Sequence, residues 1–592
     1  MAGGMSSEVP ALPRRFFERD GLGYGKINLE IRQFLGYSVC IPLGCTGKCG
    51  ELGEVQVTAV GASARPGIEG HIMKDTPILS GCMGMSRRGF LATGCAACLG
   101  AAGCASLKGE RKAAKMAAEK MRIRTIYSLH AEVQPGPDWP NVGFDFRPPM
   151  ERINNDLASA FPHYEFLPTL ATGPEQAKKI LEEDASKKID GYIVYQMNCW
   201  NQVVQTIAAS GKPVLYADFQ YAGSGGFLVY TAAFLRKNAP NVGFVASSDM
   251  KDHIAAVRCF DMVRKGGSPA DFVAAATEAR VKSTPKPGRL ACKDDPLKAL
   301  SPDECRARMK ASKILAVRDQ ESGPGGEFMG IPIIKVSFAE VNQAWETADK
   351  DESRAVADRW QQNAALVEGV SRETLETSAA MYLGQKAVLN KYGANAITIN
   401  CLGGFYGGHI HAYPCLGFHE LCNEGLVGAC ECDIASTATM VTFGALSQGR
   451  PGYISDPVID TAKGEIIYAH CVASNRPFGP QGPTNSYEIL THSEDRQGAS
   501  VRSILPLGYM TTTVELSSDR KEVLFHQGKA VENDPDDRAC RTKLGVKPAG
   551  DIEKLFTMWD KWGWHRVTFY GDLREPVFAL ADAAGWKVVE EA

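Results

Sequence analysis

The chain has 592 residues, 44% of them hydrophobic and 22% charged, with a formal net charge of −3. This length calls for more than one domain. The near-neutral balance excludes the basic footprint of a nucleic-acid binder or of a protein drawn to an anionic membrane. Eighteen cysteines in so long a chain do not make a disulfide scaffold, and most read as small buried hydrophobes.

Residues 1–84 show no sustained helical or alternating period and read as an extension outside the fold, or as untranslated if translation begins at Met83 or Met85. Residues 85–107 carry Arg87 and Arg88, then Gly-Phe-Leu and an uncharged run of small residues, the order of a twin-arginine export signal. A chance Arg-Arg pair before an Ala-rich helix is the alternative. The run is too weakly apolar for a stable membrane span, and a basic spacer follows it to residue 121. Cys104 is a candidate lipid attachment site, although Ala101 stands where a larger aliphatic residue is expected. The expectation is an exported protein, periplasmic or in the cell envelope, and a cytoplasmic one if the signal is not used.

From residue 122 the pattern is α/β. Strands are predicted over residues 122–130, 190–196, 212–218 and 241–246. Helices are predicted over 148–161, 174–186, 201–209, 252–265 and 269–282. Strand, helix, strand at this spacing is a right-handed parallel unit. The stretch Tyr221-Ala-Gly-Ser-Gly-Gly-Phe reads as a flexible loop past a strand end. Residues 283–310 are polar and irregular, and a domain boundary is placed near 290. A second α/β region has strands over 313–317, 331–338 and 395–401, and long helices over 351–370 and 372–392, the latter capped by Ser371. A glycine-rich loop follows over 403–409. A strand over 425–430 then leads to an apolar helix over 434–446. After 457 the pattern turns to short strands (466–471, 500–505, 510–516, 522–526) and a last helix over 574–585, as in an antiparallel barrel. The fold class expected is two Rossmann-like α/β domains, 122–290 and 291–456, followed by a mainly antiparallel β-barrel-like domain, 457–592.

The chemistry gathers late in the chain. Gly428-Ala-Cys-Glu-Cys-Asp-Ile delivers Glu431 at a strand end among apolar segments, where a buried carboxylate needs a partner. Asp456 precedes Pro457 and reads either as a turn or as a site residue. His565 stands at the start of a strand in Gly563-Trp-His-Arg-Val-Thr-Phe-Tyr-Gly-Asp. Two carboxylates and an imidazole make a hard ligand set suited to Mn²⁺ or Mg²⁺. Asp433 reads as a helix cap or as a site residue. His470 ends a strand and His492 opens a loop, both posts for binding sugar hydroxyls or a metal-bound oxygen. A zinc reading of Cys415, Cys422, Cys430 and Cys432 lacks the paired knuckles such sites use. Neither a Gly-x-Ser-x-Gly elbow nor a His-Glu-x-x-His helix is present.

Glu431-Cys-Asp433 with its apolar helix, Asp456 in Ile-Ser-Asp, and the closing His565-Arg-Val-Thr-Phe-Tyr-Gly resemble the L-fucose isomerase and L-arabinose isomerase superfamily over roughly residues 122–592. The resemblance implies that Glu431, Asp456 and His565 bind Mn²⁺, that the two carboxylates also move protons, and that the protein is a homo-oligomer. The Ile-Ile-Tyr-Ala-His470 segment is similar to the one that supplies a histidine ligand in arabinose isomerases. Asp433, His470 and His492 are expected to contact the substrate. The cysteines flanking Glu431, the polar insertion after 283 and the export signal depart from the cytoplasmic sugar isomerases. The function expected is a metal-dependent aldose–ketose isomerase working through an enediol. The alternatives are an exported sugar-binding protein without catalysis, or an epimerase or lyase using the same intermediate.

Overall fold

The computed structural model describes residues 120–592. The extension over 1–84, the twin-arginine stretch and Cys104 lie outside the described residues.

Five strands, β1 (Met121–Ser128), β2 (Tyr164–Ala171), β3 (Gly191–Gln196), β4 (Val214–Asp218) and β5 (Val242–Val245), form an all-parallel sheet in the order β2-β1-β3-β4-β5. Strands β3, β4 and β5 are buried throughout, which is why they read as apolar runs without alternation. The helices between them start on chemical signals visible in the sequence. Pro269–Ser283 opens with a reciprocal box between Ser268 and Asp271 and a proline in its first turn.

A second sheet has the order β11-β10-β6-β8-β7, built from β6 (Ile314–Arg318), β7 (Gly323–Phe328), β8 (Ile331–Ser337), β10 (Ala396–Ile399) and β11 (Val427–Ala429). Its pairs are parallel except the β7–β8 hairpin at the edge. Between β8 and β10 runs β9 (Leu366–Val367), which joins a small sheet with β14 (Tyr487–Leu490) and β15 (Ser500–Ser503). The helix Arg372–Tyr392 begins at Ser371, whose hydroxyl accepts from Thr374 N, and stops at Gly393, whose φ of +56° suits glycine.

The last region is a closed antiparallel barrel. Its six strands are β12 (Tyr453–Asp460), β13 (Glu465–His470), β18 (Thr542–Pro548), β17 (Glu522–Asn533), β16 (Met510–Ser517) and β19 (Arg566–Tyr570), and the β16–β17 pairing completes the ring. A further strand, β20 (Lys587–Glu590), adds in parallel to β17. The chain is therefore α/β with parallel sheets and a C-terminal six-stranded barrel. The expected boundary at 456 falls inside β12, so Asp456 belongs to a barrel strand.

Three local expectations are corrected. The Tyr221 stretch is not a flexible loop: a helix, Ser224–Arg236, starts within it and is buried over its first nine residues. Its two glycines admit close neighbours, and a Cβ on Gly225 would stand 2.6 Å from the Trp564 ring. The glycine-rich stretch after β10 is likewise a helix, Cys401–Tyr406. The polar segment before β6 contains the helix Pro302–Ala311, started by a box between Ser301 and Glu304.

The first sheet docks on the barrel through polar contacts that fix β12. Gln220 donates to Ile459 O at 2.9 Å, and Ser248 N donates to Asp460 Oδ1 at 3.0 Å. Arg280 pairs with Glu553 at 2.7 Å, with its guanidinium over the Phe244 ring. The apolar helix Ile434–Leu446 is wedged between the second sheet and the barrel. Its burial on all sides accounts for its lack of an amphipathic stripe.

Candidate metal and proton-transfer site

The site forms where the carboxyl end of the second sheet meets one rim of the barrel. β10 and β11 run parallel and end together, and Cys432 N donates to Ile399 O just beyond them. Ligand sites in open α/β sheets lie at such strand ends. Glu431 and Cys432 both take left-handed backbone angles, φ +62° and +52°. For non-glycine residues this costs of order 1–3 kcal/mol each. The reversal turns the chain sharply between β11 and the next helix and sends Glu431 toward the barrel.

The barrel supplies the other groups. In the β12–β19 pairing Ser455 faces Arg566, so one residue further on Asp456 lies across from His565. His565 Nε2 is 3.0 Å from Asp456 Oδ1 and 3.5 Å from Glu431 Oε2. His470, at the end of β13, brings Nε2 to 3.9 Å from Asp456 Oδ2 and 4.0 Å from Glu431 Oε1. One ligand atom from each of Glu431, Asp456, His470 and His565 lies within 4.8 Å of the others. Neighbouring ligands on an octahedral ion with bonds of about 2.1 Å stand roughly 3 Å apart, close to the 3.0 and 3.5 Å that separate His565 from Asp456 and from Glu431.

Two observations test whether these residues fit a cation. The first is that Asp456 Oδ1, His470 Nε2 and His565 Nε2 are buried and have no aligned hydrogen-bond partner among the described residues. Buried polar atoms are rarely left so, and here they converge on one point. The second is electrostatic. Burial pulls the His565 imidazole down, but Glu431, Asp456 and Asp433 outweigh it and hold the ring well above its ordinary value. The field at this point favours positive charge. Two carboxylates and an imidazole fit Mn²⁺ or Mg²⁺.

The two histidines differ in orientation. His565 Nδ1 donates to Asp433 Oδ2 at 2.9 Å, so in the neutral ring the free lone pair would be on Nε2, on the side of the carboxylates, as in a carboxylate–histidine–metal arrangement. His470 Nδ1 accepts from Cys471 N at 2.9 Å. In the neutral ring Nε2 then carries the proton, so His470 faces the site as a hydrogen-bond donor. Glu431 is pushed above the usual carboxylate range by burial and by Asp456 and Asp433, against the pull of His565 and His470. Its side chain keeps 28% exposure against 6% for Asp456, so it is the carboxylate that reaches the open side.

Asp433 plays both parts the sequence left open, in one position. It caps the helix Ile434–Leu446, accepting from Ser436 N at 3.0 Å, and it holds the His565 ring. It was also expected to contact substrate; the contact the structure gives it at this point is with His565. His492 stands apart from the four-group cluster. Its Nδ1 lies 3.2 Å from Asp495 Oδ1, and its ring packs near Tyr413 and Phe405. Sequence reasoning missed Ser436 and Glu515, which lie behind Asp433. It also missed the buried pair Cys471 and Cys540, which gather with His470. No spacing in the chain marks any of these. Among the described residues, the candidate metal groupings do not include Cys415, Cys422, Cys430 or Cys432, so the zinc reading finds no support.

No family model matches the chain. Part of the chain is similar to sulfoquinovose isomerases. The enzyme of Priestia aryabhattai is 24% identical over 190 residues, 31% of this chain and 42% of that one. The enzyme of Clostridium sp. (strain MSTE9) is 22% identical over 223 residues, 36% and 48%. The chain thus spans just under half the length of the sulfoquinovose isomerases it matches. Among solved structures, the transcription regulator CcpA of Lactococcus lactis aligns at 11% identity over 48% of this chain and 78% of that one, with a TM-score of 0.13, which supports no conclusion about fold or function.

Proposed function

We propose that the protein is a metal-dependent aldose–ketose isomerase acting on a sugar through an enediol. The observation that carries the reading is the meeting of Glu431, Asp456 and His565 from three distant segments, with the His565 ring turned by Asp433 to present Nε2. The partial similarity to sulfoquinovose isomerases supports the same class. Glu431, Asp456 and His565 would hold Mn²⁺ or Mg²⁺. When bound, that ion supplies Lewis-acid polarisation of the sugar carbonyl.

The remaining chemistry belongs to the side chains. Glu431 takes the proton from C2 of the aldose, giving the enediolate, and returns a proton to C1, while the O2 hydroxyl proton passes to O1 as the C2 oxygen becomes the ketone. A carboxylate raised above its ordinary range by burial suits both directions of that transfer. His470, as a donor at Nε2, gives a hydrogen bond to the substrate oxygen at C1 or C2. Asp456, buried in its strand, would hold the ion together with His565.

The test is a screen of aldoses, sulfoquinovose included, with Mn²⁺-loaded protein and with protein stripped by chelator, scored for ketose by product analysis. Expected is ketose formation that is lost on stripping and restored by Mn²⁺, with solvent deuterium appearing at C1. Sugar binding with no ketose from any aldose would favour a binding protein. An epimer or a cleaved product would favour the related enediol chemistries. Full turnover by Glu431→Gln would reject the mechanism.

A further inference from the structure

Behind His565 lies a buried chain of polar groups that ends on a carboxyl. Asp433 Oδ2 accepts from His565 Nδ1 at 2.9 Å and from Ser436 Oγ at 3.0 Å. The same Ser436 Oγ lies 3.1 Å from Glu515 Oε2. The other Glu515 oxygen, Oε1, lies 3.3 Å from Thr439 Oγ1. Glu515 sits in β16, in the barrel wall, and is 2% exposed.

Proton counting decides its state. A hydroxyl has one proton to give. Ser436 stands between two carboxyl groups and can donate to only one; Asp433, which takes the His565 N–H, is the nearer. Thr439 is 2.8 Å from Ala435 O, closer than it is to Glu515, and its oxygen already accepts from Leu516 N at 3.0 Å. Both hydroxyls are therefore committed elsewhere. Among the described residues an ionised Glu515 would be left in the interior without an uncommitted hydroxyl donor, a costly arrangement. The cation on its side, Arg566, is committed to Glu591 at 2.8 Å and to the carbonyl of His565, while Asp433 adds negative charge nearby. A protonated Glu515 removes every conflict. It donates to Ser436 Oγ, Ser436 donates to Asp433, and Asp433 accepts from His565.

We propose that Glu515 is held as a neutral carboxylic acid and serves, through Ser436 and Asp433, as a positioning residue that fixes the His565 ring toward the ion. The proposal rests on the metal reading only in its last link. Partners of this kind typically contribute 10–100-fold in metal affinity.

The test uses the full-length protein and two readouts. Infrared difference spectra of wild type and Glu515→Gln at neutral to mildly alkaline pH should show a protonated-carboxyl C=O band present in wild type and absent from the variant. Mn²⁺ affinity by calorimetry should be unchanged in Glu515→Gln, whose amide donates to Ser436 and is neutral. It should fall about tenfold or more in Glu515→Leu, which cannot donate. Loss of no carboxyl band, or equal weakening in both variants, overturns the proposal. Wild-type protein that binds no Mn²⁺ overturns the metal reading and the last link together, whereas the infrared band still decides the state of Glu515. Should Glu515→Leu fail to fold, Ser436→Ala breaks the same chain and should weaken Mn²⁺ in its place.

Discussion

His565 and His470 stand at strand ends on the same barrel rim, with ring centroids 5.8 Å apart, yet their back sides meet opposite partners. Behind His565 is an acceptor, the Asp433 carboxylate. Behind His470 is a donor, the Cys471 N–H. In the neutral rings the first leaves a lone pair on Nε2 and the second leaves a proton there. Residue type and distance alone would call both rings ligands. On the proposed reading, the groups behind them divide the work into one ring that would hold an ion and one that would meet the substrate's oxygens.

The strongest way to break this comparison is to exchange the rings' chemistry one at a time. His565→Gln should lower Mn²⁺ affinity by more than about 100-fold, beyond the range of outer partners, and abolish turnover, as read by calorimetry and ketose assay. Asp433→Asn should cost about 10–100-fold in Mn²⁺ affinity. It should leave the fold intact, because asparagine caps the helix as well as aspartate does; thermal unfolding checks this. His470→Gln should leave Mn²⁺ affinity near wild type while lowering kcat by up to about 10²-fold, the smaller end for loss of one hydrogen-bond donor to the reacting oxygen. Mn²⁺ loss as severe as in His565→Gln would erase the distinction.

The smallest effect concerns His492. Burial lowers this imidazole, but Asp495, Cys471 and Glu494 outweigh it and bring it to about 9. Burial pushes Glu494 to about 8, against His492 and the Tyr406 hydroxyl. Both groups hold protons more tightly folded than unfolded, so the stability they give declines as pH rises. For His492 it is complete below about pH 6.5, the unfolded value, and is lost on passing through about 9. The melting temperature should therefore fall between these limits, and His492→Gln should flatten the slope. A melting temperature that rises over that window would contradict the assignment.

Much of the architecture was legible because it is written in local signals. Ser371 and Gly393 mark the two ends of one long helix, and Asp433 with its apolar run marks another. The grouping of Glu431, Asp456 and His565 was expected from their residue types together with the resemblance, although Asp456 by itself read equally as a turn. What stayed hidden depends on burial and on long-range register. The helix Ser224–Arg236 opens with Gly225 and Gly226, which read as loop residues until the Trp564 ring is seen packed against them. β2 carries Pro168 and is only partly buried, so it lacks both the alternation and the apolar run of a strand. The same holds inside the site. Asp433 announced itself as a cap, but nothing in the chain showed that a residue 132 positions away would lean on it. Glu515 gave no signal, because its partners are hydroxyls from a helix 76 to 79 positions earlier.

The left-handed pair at Glu431 and Cys432 carries a practical consequence. Glycine adopts such angles freely, so a laboratory selection for heat tolerance alone would be drawn to glycine at either position. At 432 the gain would come with a slacker hinge beside the carboxylate; at 431 it would come with loss of the carboxylate itself. Resilience and turnover compete for the same two residues, and variants ranked by melting temperature should be checked for activity before this turn is altered.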